Sequence, residues 1–201
     1  MLFRSNPVNK TNANELPAIF TDLIWSGSDF VTRISSAQSA VLDVSIGGGL
    51  TATNAAGTNS FRAGQLRFLS SDEHRLLVSS ASSVLRIESD PLLADAPPGS
   101  PGSKIGPLQI VSSGPIRKVG AGQAEFLSCQ ILSSTEIIVA EGVVRGLNLN
   151  APLLLMKLDG GSARLTSSAF QSFEARSGAL ELSGGGSVDR KSTRLNSSHL
   201  V

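Results

Sequence analysis

Residues 124–188 contain three successive segments that each end in glycine, and this loose repeat constrains the fold more than any other feature. The segments are 136–142, 153–161 and 179–186. They divide the region into units at 124–142, 143–161 and 162–186, which are 19, 19 and 25 residues long. A period near twenty predicts a solenoid, in which each unit stacks on its neighbours to bury its apolar face.

Alternation of apolar and polar residues within these units indicates strands rather than helices. It places one set of side chains inward: Phe126, Ile131, Leu147, Leu149, Leu165 and Phe170. The glycine clusters are expected to form tight turns with positive φ. Cys129, the only cysteine, lies inside an apolar run, so we expect it to be a buried small hydrophobe rather than a disulfide or metal partner.

Short alternating runs before the repeat predict further strands. They cover 39–46, 50–53, 65–69, 75–79, 83–88, 108–111 and 116–119. Residues 16–25 fit a helical spacing, but the turn at 27–29 favours two short strands around it. We expect turns at 47–49 and 54–60, and loops at 70–74 and 79–83.

Residues 91–107 are rich in proline and glycine, which excludes a central strand there. The segment is a long surface loop or a linker. As a linker it would separate a β-rich segment at 6–90 from the repetitive β segment at 108–188. An insertion between turns of one repetitive fold is equally compatible with the sequence.

Both ends of the chain resemble the translation of a sequencing-library adapter. Residues 189–199 match one reading frame, 200–201 would begin the sample index, and 1–5 resemble the reverse complement. Such segments are set aside before the fold is considered. We therefore expect the natural piece to be 6–188, a fragment open at both ends; the alternative is a basic, Ser-rich C-terminal tail.

The charge balance offers no footprint for nucleic acid. The whole chain has 17 Lys plus Arg and 16 Asp plus Glu. Setting aside Arg4, Arg190, Lys191 and Arg194 leaves 13 basic residues, and setting aside Asp189 leaves 15 acidic ones, a net charge of −2. Because both signs are dispersed, no basic patch forms. No run approaches the roughly 18 apolar residues of a membrane span.

His74 is the only histidine outside the adapter-like ends, and it lies in the charged run 71–75. Beside Asp72 and Glu73 it could act as a general base or a metal ligand. We favour a solvated loop residue, because no second histidine or cysteine stands at ligand spacing.

The carboxylates are scattered; their closest groupings are Asp22 with Asp29, Glu88 with Asp90, and Glu136 with Glu141. None predicts a glycosidase pair. The glycine turns at 47–49 and 120–122 lack the Lys-Ser/Thr of a phosphate loop. The sequence therefore predicts no catalytic, cofactor-binding or metal-binding residue.

The segment 162–186 resembles the repeats of pectin-lyase-like right-handed β-helices, and most of all the polymorphic-membrane-protein type. That type pairs a small-polar-Phe element with a Gly-Ala-hydrophobic strand, matched here by 168–170 and 178–180. The run 126–131 is similar to a β-helix strand with a small residue inside. The resemblance implies an all-β, right-handed parallel β-helix; the alternative is an antiparallel β-sandwich.

We expect a non-enzymatic structural or adhesion-type segment of a larger extracellular or cell-surface protein. Its expected partners are glycans or other surface proteins. The alternative is a carbohydrate-active β-helix enzyme, a polysaccharide lyase or hydrolase, whose catalytic residues lie outside the fragment. An antiparallel binding module is a third option.

Overall fold

The computed structural model describes residues 2–5, 19–34, 41–63, 65–89, 107–185 and 187–188. These residues form strands joined by short turns. The strands are β1 (Leu2–Ser5), β2 (Ile19–Trp25), β3 (Val31–Ile34), β4 (Val41–Ala52), β5 (Ala56–Ala63), β6 (Gln65–Phe68), β7 (His74–Val78), β8 (Ser82–Ser89), β9 (Leu108–Ser112), β10 (Ile116–Val119), β11 (Gln123–Leu127), β12 (Cys129–Ile131), β13 (Glu136–Val139), β14 (Val143–Leu147), β15 (Asn150–Asp159), β16 (Ser162–Thr166), β17 (Ala169–Ser177), β18 (Leu180–Ser183) and β19 (Ser187–Val188).

The strands stack into three parallel ladders, which we call faces a, b and c. Face a contains β6, β9, β12, β19 and the first residues of β2, β4, β15 and β17. Face b contains β7, β10, β13 and the later residues of the same four long strands. Face c contains β3, β5, β8, β11, β14, β16 and β18. The chain passes from a to b to c in each turn, or rung, so the fold is a parallel β-helix.

This architecture confirms the predicted fold class and excludes the antiparallel β-sandwich, because the strands of each face run parallel. Among the described strands, only β1 pairs antiparallel, with β2. Segments on either side of the Pro-rich region pair directly, since β8 is in register with β11 and β7 with β10. Residues 90–106 and 189–201 lie outside the described residues.

The interior is a single column of stacked apolar side chains. On face c, for example, Leu85, Ala124, Val144 and Ala163 follow one another in register, and each is fully buried. Burying one such aliphatic or aromatic side chain typically contributes about 1.5–3 kcal/mol. Because a single rung cannot enclose its own apolar side chains, this stabilisation arises only between rungs.

The corner between faces b and c is built from glycines that touch the backbone of the preceding rung. A Cβ on Gly142 would lie 2.3 Å from the carbonyl oxygen of Gly122, and one on Gly178 would lie 1.9 Å from that of Gly161. Gly142 and Gly178 also have positive φ, 65° and 109°. Glycine is therefore required at these positions for two reasons: the backbone has positive φ, and a Cβ atom would collide with the preceding rung.

The opposite corner, between faces c and a, also uses positive φ, but it accepts side chains. Ser128, Asn148, Ser167 and Gly184 occupy equivalent positions with φ between 49° and 65°. Each of the first three donates its backbone N–H to the carbonyl of the next rung. Gly184 thus belongs to a different corner from Gly142 and Gly178.

That difference corrects the third predicted repeat unit. Register partners on face c, Val144, Ala163 and Leu180, are 19 and then 17 residues apart. The 25-residue unit 162–186 is therefore one rung plus the face-c strand of the next. The predicted unit treated all three glycine clusters as one kind of turn, whereas they belong to two kinds of corner on different edges of the β-helix.

Most predicted strands are confirmed, including the two around the turn at 27–29. The turns predicted at 47–49 and 54–60 are wrong: β4 continues to Ala52, and β5 begins at Ala56. Gly49 serves close packing instead, because a Cβ there would lie 2.0 Å from the carbonyl oxygen of Arg75.

Five of the six side chains predicted to point inward are buried, and Leu147 is not. Within β14 the inward positions are Val144 and Gly146, and the corner at Asn148 then shifts the alternation so that Leu149 is buried. A corner residue changes the phase of the alternation, which a period of two cannot anticipate.

Replacing Gly142 with alanine should destabilise the protein by more than the conformational cost of about 1–2 kcal/mol for a left-handed residue, since its methyl group also meets Gly122. Gly185→Ala is the matched control, because Gly185 has φ of 78° and nothing within 4 Å of its Cβ position. Urea unfolding measures both. Equal losses for the two variants would contradict direct backbone stacking at the corner.

Candidate functional site

The outward rows of faces b and c carry charged side chains that could bind a ligand. On face b, strand register aligns Arg75, Arg117, Ile138, Lys157 and Glu174 in one row across successive rungs. Parallel strands are spaced by about 4.8 Å, so neighbouring members of this row are within contact distance. The row gives face b its charged character.

A cleft of about 170 Å³ opens on face b along this row. It is lined by Arg117, Ile138, Lys157, Leu158, Asp159, Glu174 and Arg176. Its apolar side chain is that of Ile138, since the side chain of Leu158 is buried in the core, and cationic and anionic groups form the rest. We call it the face-b cleft.

Ion pairs link different rungs around the face-b cleft. Arg117 Nε donates to Glu73 Oε2 at 2.8 Å, and its Nη1 lies 4.0 Å from Asp159 Oδ2. Lys157 Nζ donates to Glu136 Oε1 at 2.8 Å. Each group is partly exposed, so an individual pair contributes only about 0–1 kcal/mol to stability.

Other polar groups at the cleft are less engaged. Arg176, which is largely exposed, approaches Asp159 only to 3.9 Å. Within the described part of the chain, no ion pair joins Glu174 to a basic group. The cleft therefore offers hydrogen-bond donors and carboxylate acceptors side by side.

Face c carries a second charged row, but its central carboxylate is enclosed. Glu125 is 3% exposed and accepts from Arg86, Arg145 and Gln123. Arg62 likewise donates to Glu88 at 2.7 Å. These side chains link consecutive rungs. They occupy both carboxylate oxygens of Glu125, so this carboxylate is less able to bind a ligand than the carboxylates of face b.

The prediction that His74 is a solvated loop residue is wrong. His74 begins β7, is fully buried, and its ring lies 4.8 Å from that of Phe68. Nδ1 lies 3.1 Å from the carbonyl oxygen of Gly48, and Nε2 lies 3.0 Å from that of Ser70. The inward column that continues with Ile116 takes His74 inside, where a protonated ring nitrogen donates to a backbone carbonyl oxygen.

Two of the three carboxylate groupings, Asp22 with Asp29 and Glu136 with Glu141, have separate hydrogen-bond partners. Asp22 accepts from the N–H of Gly49, and Asp29 accepts from that of Thr58. Glu88 and Glu136 form the ion pairs described above. Glu141 accepts from the N–H of Gly120 at a corner. Asp90 lies outside the described residues.

Lys118 is a buried cation that the sequence did not single out. Although it is fully buried in a column of aliphatic side chains, its ammonium donates to three carbonyl oxygens, those of Val119, Gly120 and Glu141. Burial lowers the pKa of Lys118 from 10.5 to about 8, and the nearby Glu141 carboxylate partly opposes this shift. The alternation of β10 was the available signal, since it places residue 118 inward.

Cys129 is buried and free, as predicted. Its Sγ donates to the carbonyl oxygen of Ile87 at 3.3 Å. Desolvation raises the pKa of the Cys129 thiol well above its ordinary range, so the reactive thiolate form is disfavoured.

Across the described ranges, no group of three or more His, Cys, Asp or Glu side chains is placed to hold a metal ion. The same residues contain no helix of the length and apolar character needed to cross a membrane. No protein-family model, curated protein or solved structure matches this chain.

The depressed pKa of Lys118 predicts a specific pH dependence of stability. Between about pH 8 and pH 10.5 the unfolded chain keeps its lysine protonated while the folded chain does not. The free energy of unfolding should therefore rise with pH across this window. Urea unfolding at several pH values should show the rise in the natural chain and a smaller one in Lys118→Met. Identical slopes would assign the effect to another group.

Replacing His74 with leucine should lower the free energy of unfolding by about 1–3 kcal/mol, because a buried carbonyl group loses its hydrogen-bond donor. Arg75→Leu is the control: it makes the same replacement one residue away at an exposed position, where about 0.5 kcal/mol or less is expected. Thermal or urea unfolding of both variants measures the two losses in the free energy of unfolding. Comparable losses would rule out a structural role specific to His74.

Proposed function

We propose that this chain is a non-enzymatic structural or adhesion-type segment of a larger extracellular or cell-surface protein. Its face-b cleft would be the surface that contacts glycans or other surface proteins. The observation that carries the proposal is the pairing of outward carboxylates with Arg or Lys across rungs, as in Glu73–Arg117 and Glu136–Lys157. Carboxylates held in this way stiffen the β-helix and are poorly arranged to act as an acid–base pair.

The chemistry of the face-b cleft favours a neutral, hydroxyl-rich ligand. A hydroxyl group both donates and accepts hydrogen bonds, so it can donate to Asp159 or Glu174 and accept from Arg117 or Lys157. For an anionic ligand, attraction by Arg117, Lys157 and Arg176 is offset by repulsion from Asp159 and Glu174 and from the ion-paired Glu73 and Glu136. The apolar surface of Ile138 fits the carbon face of a sugar ring, as in pockets where a few polar groups orient an otherwise apolar contact.

Binding to an array of neutral and acidic oligosaccharides tests this proposal. We expect neutral glycans to bind, and the double substitution Arg117→Gln with Lys157→Gln to weaken binding at least tenfold by removing donors from the cleft. Arg164→Gln on face c is the control, since Arg164 is an exposed, ion-paired cation away from the cleft. Equal weakening by the control, or no glycan binding, would contradict a role for the face-b cleft.

A depolymerisation assay distinguishes this proposal from the alternative of a carbohydrate-active enzyme. The chain is incubated with acidic polysaccharides with and without calcium, and release of oligosaccharides is followed. The proposal expects no product under either condition. Calcium-dependent product would overturn the non-enzymatic assignment and favour a polysaccharide lyase or hydrolase.

A further inference from the structure

The outward side of face a differs from the other two faces, because four consecutive rungs carry no charge there. The segments that cross it contain no Asp, Glu, Lys or Arg: 107–114, 128–135, 148–153 and 167–172. Faces b and c carry the ion pairs of the same rungs. Protein surfaces in contact with solvent usually have interspersed charges, and flat sheet surfaces without them tend to associate.

A row of amide side chains runs along this uncharged surface. Gln109, Gln130 and Asn150 are in register on β9, β12 and β15. Gln65 of the preceding rung donates to Gln109 at 3.4 Å. Within the described residues, no hydrogen bond engages the side chains of Gln130 or Asn150. Their donors and acceptors therefore face outward, available to a partner.

An apolar ridge flanks the amide row. Val111 and Leu132 follow the inward residues of β9 and β12, and Leu132 is 41% exposed. Leu153 of the next rung is 44% exposed. These leucines are among the few large apolar side chains exposed in the described part of the chain. A surface with exposed aliphatic groups, no charge and unpaired amides has the composition of an interface core.

We propose that face a of rungs β9 to β17 packs against the same face of a second copy of this chain, forming a symmetric dimer. An amide is both donor and acceptor, so the row of Gln109, Gln130 and Asn150 is complementary to itself. A two-fold interface places the same patch on both partners, which suits such a row. The ridge formed by Val111, Leu132 and Leu153 would be covered at the same time.

A second copy fits this surface better than a sugar or a charged protein. The surface has no outward aromatic ring on which a sugar could stack, and it offers no charge that could pair with a charged partner. Four rungs spaced by about 4.8 Å span only about 19 Å. Because a standard interface buries roughly 800 Å² per partner and this face is short along the β-helix, we expect a weak dimer that depends on concentration.

Sedimentation velocity over a range of protein concentrations tests the proposal. The natural chain should shift from monomer towards dimer as concentration rises. The double substitution Gln109→Lys with Gln130→Lys places like charges opposite each other, and it should weaken dimerisation at least tenfold. Gln123→Lys is the matched control, since Gln123 lies outward on face c, and it should leave dimerisation unchanged.

Thermal unfolding of dilute protein checks that the double variant remains folded, and it should unfold within a few degrees of the natural chain. A natural chain that stays monomeric at every concentration would overturn the proposal. So would equal dissociation of the Gln123→Lys control. Loss of glycan binding in the double variant, with a monomeric natural chain, would assign face a to a sugar instead of a second copy.

Discussion

Direct contact between backbones at the corner of faces b and c is the constraint on which the rest of the β-helix depends. Gly142 and Gly178 lie against carbonyl oxygens of the rung before, at distances that exclude any side chain. Because these corners stack on one another, strands in successive rungs keep a common register along each face, apart from irregularities between β2 and β4 and between β15 and β17. That register then determines which side chains meet inside the β-helix and which form rows outside it.

The register between rungs limits where polar side chains in the interior can find hydrogen-bond partners. A polar side chain there is surrounded by aliphatic neighbours and needs hydrogen-bond partners in the backbone or in another buried polar side chain. Lys118 donates to three carbonyl oxygens, and the two ring nitrogens of His74 lie against two others. Asn59 finds its partners near the other end, where it bonds to Gly27, Asn54 and the N–H of Phe30. Such groups are tolerated because each remains hydrogen-bonded.

Register also produces the contrast among the three outer surfaces. Opposite charges in neighbouring rungs of faces b and c come within ion-pair distance, as Glu125 shows with Arg86 and Arg145. On face a the same geometry aligns Gln109, Gln130 and Asn150, which are uncharged. The three faces thus share one backbone arrangement and differ in which partners their side chains can engage.

The sequence by itself determined the all-β solenoid character of this chain, most of its strands, and the burial of residues such as Cys129 and Phe126. Those features depend on local alternation and on glycine, which act over a few residues. The tertiary structure alone decided that Gly184 belongs to another corner than Gly178, that His74 points inward, and that Arg117 meets Glu73. These outcomes depend on the register between rungs, which joins residues 17 to 44 positions apart and leaves no mark on a local pattern.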